Sequence, residues 1–268
     1  MGLFNRRRRP EAAPPPALLS YQVANLQGLG TRERQEDSFA FVNALDVTEI
    51  RRRGLLGLLA DGMGGMNDGK LVSEHAVACM AEGFDALDRA GDLPGQLCGC
   101  VRRTAERLYE RFGGDGGTTL VAAMIYQEKL YWASVGDSFL YLLRDGGLTR
   151  LNRDQNYRSE LYLELIRSGA LDRAEADRDP DGPRLTEFLG KPEVEEIDYS
   201  RRPLPLRSGD VLFLCSDGVG GVLEEEALRA ILAGEPPAAA CRRIEAAIRG
   251  MGRANQDNYT GLAVACGY

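Results

Sequence analysis

The 268-residue sequence predicts an α+β domain of two packed antiparallel sheets covered by helices. Short β-type runs separated by Gly-rich punctuation fall in several antiparallel groups. The helical patterns are grouped between those runs instead of alternating with them one for one, which argues against a doubly wound parallel sheet. Two runs, 54–60 and 211–215, are apolar throughout, as befits strands covered on both faces.

Residues 1–18, MGLFNRRRRPEAAPPPAL, place four arginines before a Pro/Ala stretch that cannot build a core, and read as a flexible basic tail. One domain, 19–268, follows. It opens with strands at 21–26, 38–45 and 54–60. Val72, Ala76, Cys79, Met80, Gly83, Phe84 and Leu87 then recur at helical spacing, as do Leu97, Val101, Ala105, Leu108 and Phe112. Strands at 120–126, 130–135, 139–143 and 148–151, joined by Gln127-Glu128-Lys129 and Asp145-Gly146-Gly147, read as one antiparallel meander. Residues 152–205 are the least regular, with a helix at 159–168 stopped by Gly169 and a polar stretch around Asp179-Pro180-Asp181-Gly182-Pro183. A connection of that length inside a domain points to function, and it is expected to form a flap-like insertion. A buried strand at 211–215, helices at 224–232 and 238–250, and a closing strand at 259–266 complete the chain.

Composition narrows the function classes. Hydrophobic residues at 44% and charged residues at 27% exclude a fibrous or wholly disordered chain. A net charge of −7 argues against nucleic acid as the partner. Six cysteines without a CxxC pair suit reduced thiols and a cytoplasmic setting. The arginines of the tail precede no apolar run, so no signal peptide is expected, and no stretch approaches the ~20 apolar residues of a membrane span. The single histidine, His75, has helical neighbours and is expected to pack or to face solvent. There is no Gly-x-Ser-x-Gly elbow, so enzymatic chemistry here would run on carboxylates.

Carboxylates do stand out where apolar strands end. Ala60 runs into Asp61-Gly62, Ser216 into Asp217-Gly218, and Gly136 into Asp137; Glu36-Asp37 precedes one strand and Asp257-Asn258 another. Any one Asp-Gly is ordinary turn chemistry. Converging carboxylates, however, repel one another unless a cation sits among them, and oxygen ligands suit magnesium or manganese. Gly62 also permits the close backbone approach by which a carbonyl joins a metal shell.

These residues resemble the metal-dependent, type 2C serine/threonine protein phosphatases in their bacterial form. The resemblance runs in order through Gly30-Thr-Arg-Glu-Arg-Gln-Glu-Asp-Ser38, Ala60-Asp-Gly-Met-Gly-Gly65, Gly117-Thr-Thr119, Val135-Gly-Asp-Ser138, Arg153-Asp154, Leu185-Thr186 with Leu189-Gly190, Cys215-Ser-Asp-Gly218 and Asn255-Gln-Asp-Asn258. It implies a four-layer α/β/β/α sandwich with a binuclear Mn2+ or Mg2+ site at one end. It further implies Asp61 bridging both metals, the Gly62 carbonyl on one, Asp217 and Asp257 on the other, and Glu36 and Asp37 holding waters or completing the shell. Asp137 matches an aspartate of a third, weaker metal site, although Gly221 lacks the polar side chain that some members place there. Arg32 sits where the family keeps its phosphate-binding arginine.

The implied activity is hydrolysis of phosphoserine and phosphothreonine proteins by a metal-activated water, opposing a bacterial Ser/Thr kinase, in a monomeric enzyme. A phosphatase for small phosphate esters and a catalytically weak pseudophosphatase or regulator that binds a phosphorylated partner are the alternatives. Many bacterial members carry a histidine at the place of Met66 and eukaryotic members one at the place of Met63, and an arginine is usual at the place of Phe139. Phe139 is expected to pack, with loss of an ion pair.

Overall fold

The structure is a computed structural model that describes residues 18–63, 69–168 and 172–268. Residues 1–17 of the tail, Met66 and Gly169 lie outside the described residues. The chain begins with β1 (Ser20–Gly28), β2 (Ser38–Val42), α1 (Val47–Arg53) and β3 (Leu55–Ala60). Two long helices follow, α2 (Gly69–Asp85) and α3 (Leu93–Phe112), and then β4 (Leu120–Tyr126), β5 (Lys129–Val135), β6 (Phe139–Arg144) and β7 (Gly147–Arg150). The connection predicted at 152–205 contains α4 (Tyr157–Ser168), α5 (Arg173–Arg178), β8 (Asp198–Tyr199) and β9 (Leu204–Pro205). The remainder is β10 (Val211–Cys215), the short α6 (Asp217–Gly220), α7 (Glu225–Gly234), α8 (Pro237–Gly250) and β11 (Tyr259–Gly267).

The strands form two antiparallel sheets, ordered β1-β11-β10-β6-β7 and β2-β3-β4-β5-β8, with β9 also on β5. The period-2 alternation of side chains explains the apolar runs. In β3, Leu55 and Leu59 join Val121, Leu212, Leu214 and Leu262 between the sheets, while Leu56, Leu58 and Ala60 face Val72, Met80 and Val101 of α2 and α3. In β10, Leu212 and Leu214 point inward, and Phe213 and Cys215 meet Leu228, Ile244 and Ile248 of α7 and α8. Four layers result, each sheet being apolar on both faces.

The expected meander is corrected: it is two hairpins in different sheets. β4 and β5 turn at Gln127 and Glu128, and β6 and β7 at Asp145 and Gly146, all with positive φ, the conformation of tight hairpin turns. Between β5 and β6 the chain passes from one sheet to the other at Gly136, whose φ is 99°. Helix α1 was also absent from the sequence reading, which left residues 46–53 unassigned between strands at 38–45 and 54–60. It buries no residue, so it lacks an apolar stripe; its start is fixed by the Asp46 carboxylate, which accepts from the Thr48 and Glu49 amides at 2.8 and 3.1 Å.

The registers bring particular strand ends to one pole. Ser38 pairs with Ala60, Leu120 with Val135, Cys215 with Gly261, and Gly28 with Tyr259. Asp37, Asp61, Asp137, Asp217 and Asp257 therefore all leave the sandwich at the same end.

Candidate metal centre

At that pole a cavity of about 380 Å³ is lined by Glu36, Asp61, Gly62, Asp137, Asp217 and Asp257 together with Arg32. Backbone contacts fix each of them. The Asp61 carbonyl accepts from the Thr118 hydroxyl at 2.8 Å and the Thr119 amide at 2.9 Å, and the Asp61 amide donates to Thr119 Oγ1 at 3.1 Å. At Gly62 a Cβ would lie 2.4 Å from the Gly69 carbonyl and 2.7 Å from that of Glu36, so only glycine fits there. At Gly218 a Cβ would lie 1.8 Å from the Asn258 carbonyl, so the Asp217 turn presses directly on the Asp257 strand end.

Asn258 ties the loop before β2 to β11. Its side chain donates to the Leu29 and Arg34 carbonyls at 2.9 and 3.0 Å and accepts from the Glu36 amide at 2.8 Å. Thr31 joins the same two segments through amide and hydroxyl bonds to the Gln256 carbonyl at 2.8 and 3.0 Å. Arg32 is thereby held beside Asp257, with Nη2 2.6 Å from Oδ2.

Asp37 sits beneath the cavity instead of on its wall. It is fully buried; Oδ2 accepts from the Ser216 hydroxyl at 2.9 Å, and Oδ1 has no hydrogen-bond partner. Burial takes it up to about 6 against the bonds it accepts, with the Asp217 charge adding to the rise. Burial pushes Asp61 well above the usual carboxylate range, and the charges of Asp37, Asp217, Asp137 and Asp257 act in the same direction. Burial, then Asp217 and Asp154, lifts Asp137 to about 7 against the nearby Arg150. Asp217 opens onto the cavity, yet protein packed behind it and the Asp257 charge raise it too.

These oxygens suit hard cations. An orphaned buried carboxylate oxygen and a ring of mutually repelling carboxylates, offset by Arg32 at Asp257 and by Arg150 near Asp137, leave an excess of negative charge that divalent ions would neutralise. Among the described residues no three acidic, histidine or cysteine side chains close around a single point. The donors instead line the cavity wall, an arrangement suited to ions such as magnesium that keep several waters and take few protein ligands each.

The structure also places residues to which the sequence reading gave no role. Met63 lines the cavity and brings a sulfur side chain to its wall. Pro183, Arg184, Leu185 and Phe188 form a wall from the irregular connection. Thr118, Thr119, Ser216 and Asn258 all fall inside motifs read from the sequence, but their supporting roles appear only in the hydrogen bonds. His75 is outside the cavity, in a surface groove between α2 and α3, edge-on to Phe112 at 5.9 Å. Phe139 packs parallel to Tyr141 at 5.7 Å, and the Arg150 guanidinium lies 3.9 Å from its ring centroid. Arg150 in turn holds Asp154 at 2.5 and 2.9 Å and the Asp137 carbonyl at 3.2 Å, so a guanidinium reaches this spot from β7.

Residues 33–240 match the protein phosphatase 2C family. The serine/threonine protein phosphatase PstP of Mycobacterium tuberculosis is 34% identical over 203 residues, which is 74% of this chain and 38% of that protein; the chain thus spans well under half the length of this relative. The serine/threonine phosphatase stp of Listeria monocytogenes is 33% identical over 65% of this chain and 70% of its own length. In structure, the PstP catalytic domain in complex with two manganese ions superposes with a TM-score of 0.70 at 29% identity, over 94% of this chain and 99% of that one. Cavity, layers and sequence agree, and the chain belongs to the protein phosphatase 2C family.

Proposed function

We propose that this chain is a metal-dependent serine/threonine phosphoprotein phosphatase. The observation that carries the reading is the set of five carboxylates from separate strand ends lining one cavity with Arg32 at its side. Asp61, the Gly62 carbonyl, Asp217 and Asp257 are the groups that would hold two Mn2+ or Mg2+ ions, with Glu36 and Asp37 completing the surroundings and Asp137 serving a third, weaker site. When bound, such ions supply Lewis acidity and lower the pKa of water, so that phosphate-ester hydrolysis needs no covalent phosphoenzyme.

The remaining work falls to the chain itself. The Arg32 guanidinium offers a planar fork to two phosphoryl oxygens and so orients the ester. The Asn258 amide donates to Asp257 Oδ1 at 2.8 Å, holding that carboxylate in place when Arg32 turns to substrate. Met63 and Phe188 give the cavity apolar wall that limits access of bulk water. With no histidine lining the cavity, protonation of the leaving alkoxide falls to a carboxyl group or to water.

The proposal extends to phosphoserine and phosphothreonine proteins as substrates, a Ser/Thr kinase as the opposing activity, a cytoplasmic setting and a monomeric enzyme. All six cysteines are free, which accords with a reducing compartment, and no described helix is long and apolar enough to cross a membrane. Hydrolysis of an aryl phosphate and of a phosphothreonine peptide, each in EDTA and in manganese, tests the reading. Turnover of both only with manganese supports it. Binding of the phosphopeptide without turnover would favour the regulator, and turnover of the aryl phosphate alone a small-ester phosphatase.

A further inference from the structure

Arg184 stands apart from the other arginines around the cavity. Arg32 pairs with Asp257, Arg150 with Asp154, and Arg153 with Glu196. Arg184 lines the same acidic cavity, is exposed, and has no ion-pair partner among the described residues. Three contacts fix its surroundings. Its guanidinium lies over the Tyr157 ring at 5.2 Å, and its backbone is fixed at both ends, the amide donating to the Asp181 carbonyl at 2.8 Å and the carbonyl accepting from the Tyr157 amide at 2.9 Å. A guanidinium held over a ring makes no hydrogen bond to it and keeps its N–H groups for a planar anion.

We propose that Arg184 reads a carboxylate side chain flanking the phosphoresidue, so that the enzyme prefers phosphothreonine or phosphoserine in an acidic sequence. This rests on the phosphatase reading given above. The phosphoryl group is taken by Arg32 and the carboxylate-lined floor, whereas Arg184 is an exposed residue of the wall formed with Pro183, Leu185 and Phe188, where the peptide chain on either side of the phosphoresidue would pass. Once cations neutralise the floor, Arg184 remains as an uncompensated positive charge on that wall. An aspartate or glutamate meets a bidentate partner there, and a lysine meets repulsion.

The test is steady-state kinetics with manganese at low ionic strength on three phosphothreonine peptides carrying Asp, Ala or Lys on both sides of the phosphoresidue, with an aryl phosphate alongside. For the wild type, kcat/KM is expected to fall in the order Asp, Ala, Lys, with about fivefold between the first two, the size of a good exposed charge contact, expressed in KM and flattened by high salt. Arg184→Ala should collapse the ratios towards one, Arg184→Lys should retain part of them, and Arg184→Glu should reverse the order. Equal kcat/KM for the three peptides in the wild type, or an undiminished preference in Arg184→Ala, overturns the proposal. So does a uniform loss on all three peptides and the aryl phosphate, which would place Arg184 on the phosphoryl group itself. If the wild type hydrolyses none of the four substrates in manganese, the phosphatase reading fails and this proposal falls with it.

Discussion

The guanidinium of Arg32 is bonded to the carboxylate of Asp257 at 2.6 Å, although 225 residues separate them in sequence. The two groups have different assignments, one to phosphate and one to a cation, and in this structure each satisfies the other. Both side chains are about half exposed, so the pair adds little stability. Its interest is chemical, because phosphate and cation would each compete for one partner.

Arg32→Ala is therefore expected to lower kcat/KM by about 2–4 kcal/mol, raising KM and reducing kcat together, as loss of a charged contact to a phosphoryl group would. Manganese affinity should be unchanged or higher, since a competing cation leaves Asp257. Lysine at 32 should rescue only partly, lacking the fork. Kinetics with manganese titration of both variants check this, and an unchanged kcat/KM in the alanine variant defeats the assignment.

Asp61→Asn and Asp217→Asn should each reduce turnover by orders of magnitude without unfolding the protein. In EDTA both variants should melt higher than the wild type, because each removes a charge that its neighbours repel. A variant retaining more than about a tenth of wild-type turnover, roughly 1.4 kcal/mol of barrier, counts against a direct role.

In the metal-free protein Asp37 and Asp137 titrate near 6 and 7 against an ordinary carboxylate value of 3.8. Between those values the folded chain binds more protons than the unfolded chain, so stability is greatest at the acid end of that window and falls as pH rises through it. Melting temperature in EDTA should thus decline from about pH 5 to about pH 7.5. Saturating manganese should abolish the decline, since cations favour the ionised carboxylates. A flat profile in EDTA would show that the carboxylates do not carry these raised values.

Gly218→Ala should destabilise the protein by about 1–3 kcal/mol and suppress turnover, since the new methyl would displace the Asn258 backbone and with it Asp257. Gly234→Ala, in the last turn of α7 with open space around it, should be neutral or stabilising by up to about 1 kcal/mol. Chemical denaturation of the two variants checks the contrast; equal effects would remove the argument from close approach.

Much of the fold was legible because β3 and β10 are apolar on both faces, a pattern that demands cover from a sheet on one side and helices on the other. Helix α1 was not, since Val47–Arg53 buries nothing and its signals are confined to its ends, Asp46 before it, Arg51–Arg53 in its last turn and Gly54 after it. The split of the two hairpins turns on the crossing at Gly136, which in sequence looks like any other Gly-Asp turn. In the site, Asp61 and Asp217 could be read from their position after apolar runs. Ser216 and Asn258 could be read as motif members but not as partners of Asp37 and Glu36, because those contacts join residues 179 and 222 positions apart. Arg184 gave no sign beyond its place in a long polar connection, where no periodicity indicates which side chain faces the cavity.

The place of β11 has a consequence for how the molecule comes into being. It lies between β1 and β10 and pairs with both, Ser20 meeting Gly267 at one extreme of the register. The sheet β2-β3-β4-β5-β8, with β9 also on β5, has all of its strands once synthesis passes residue 205, whereas its companion cannot close until β11 has left the ribosome. Asp257, at the threshold of β11, is the last carboxylate to arrive. A chain that stops short of β11 would therefore display a half-built sandwich with an open β10 edge and without the Asp257 carboxylate, an edge free to pair with strands of other chains.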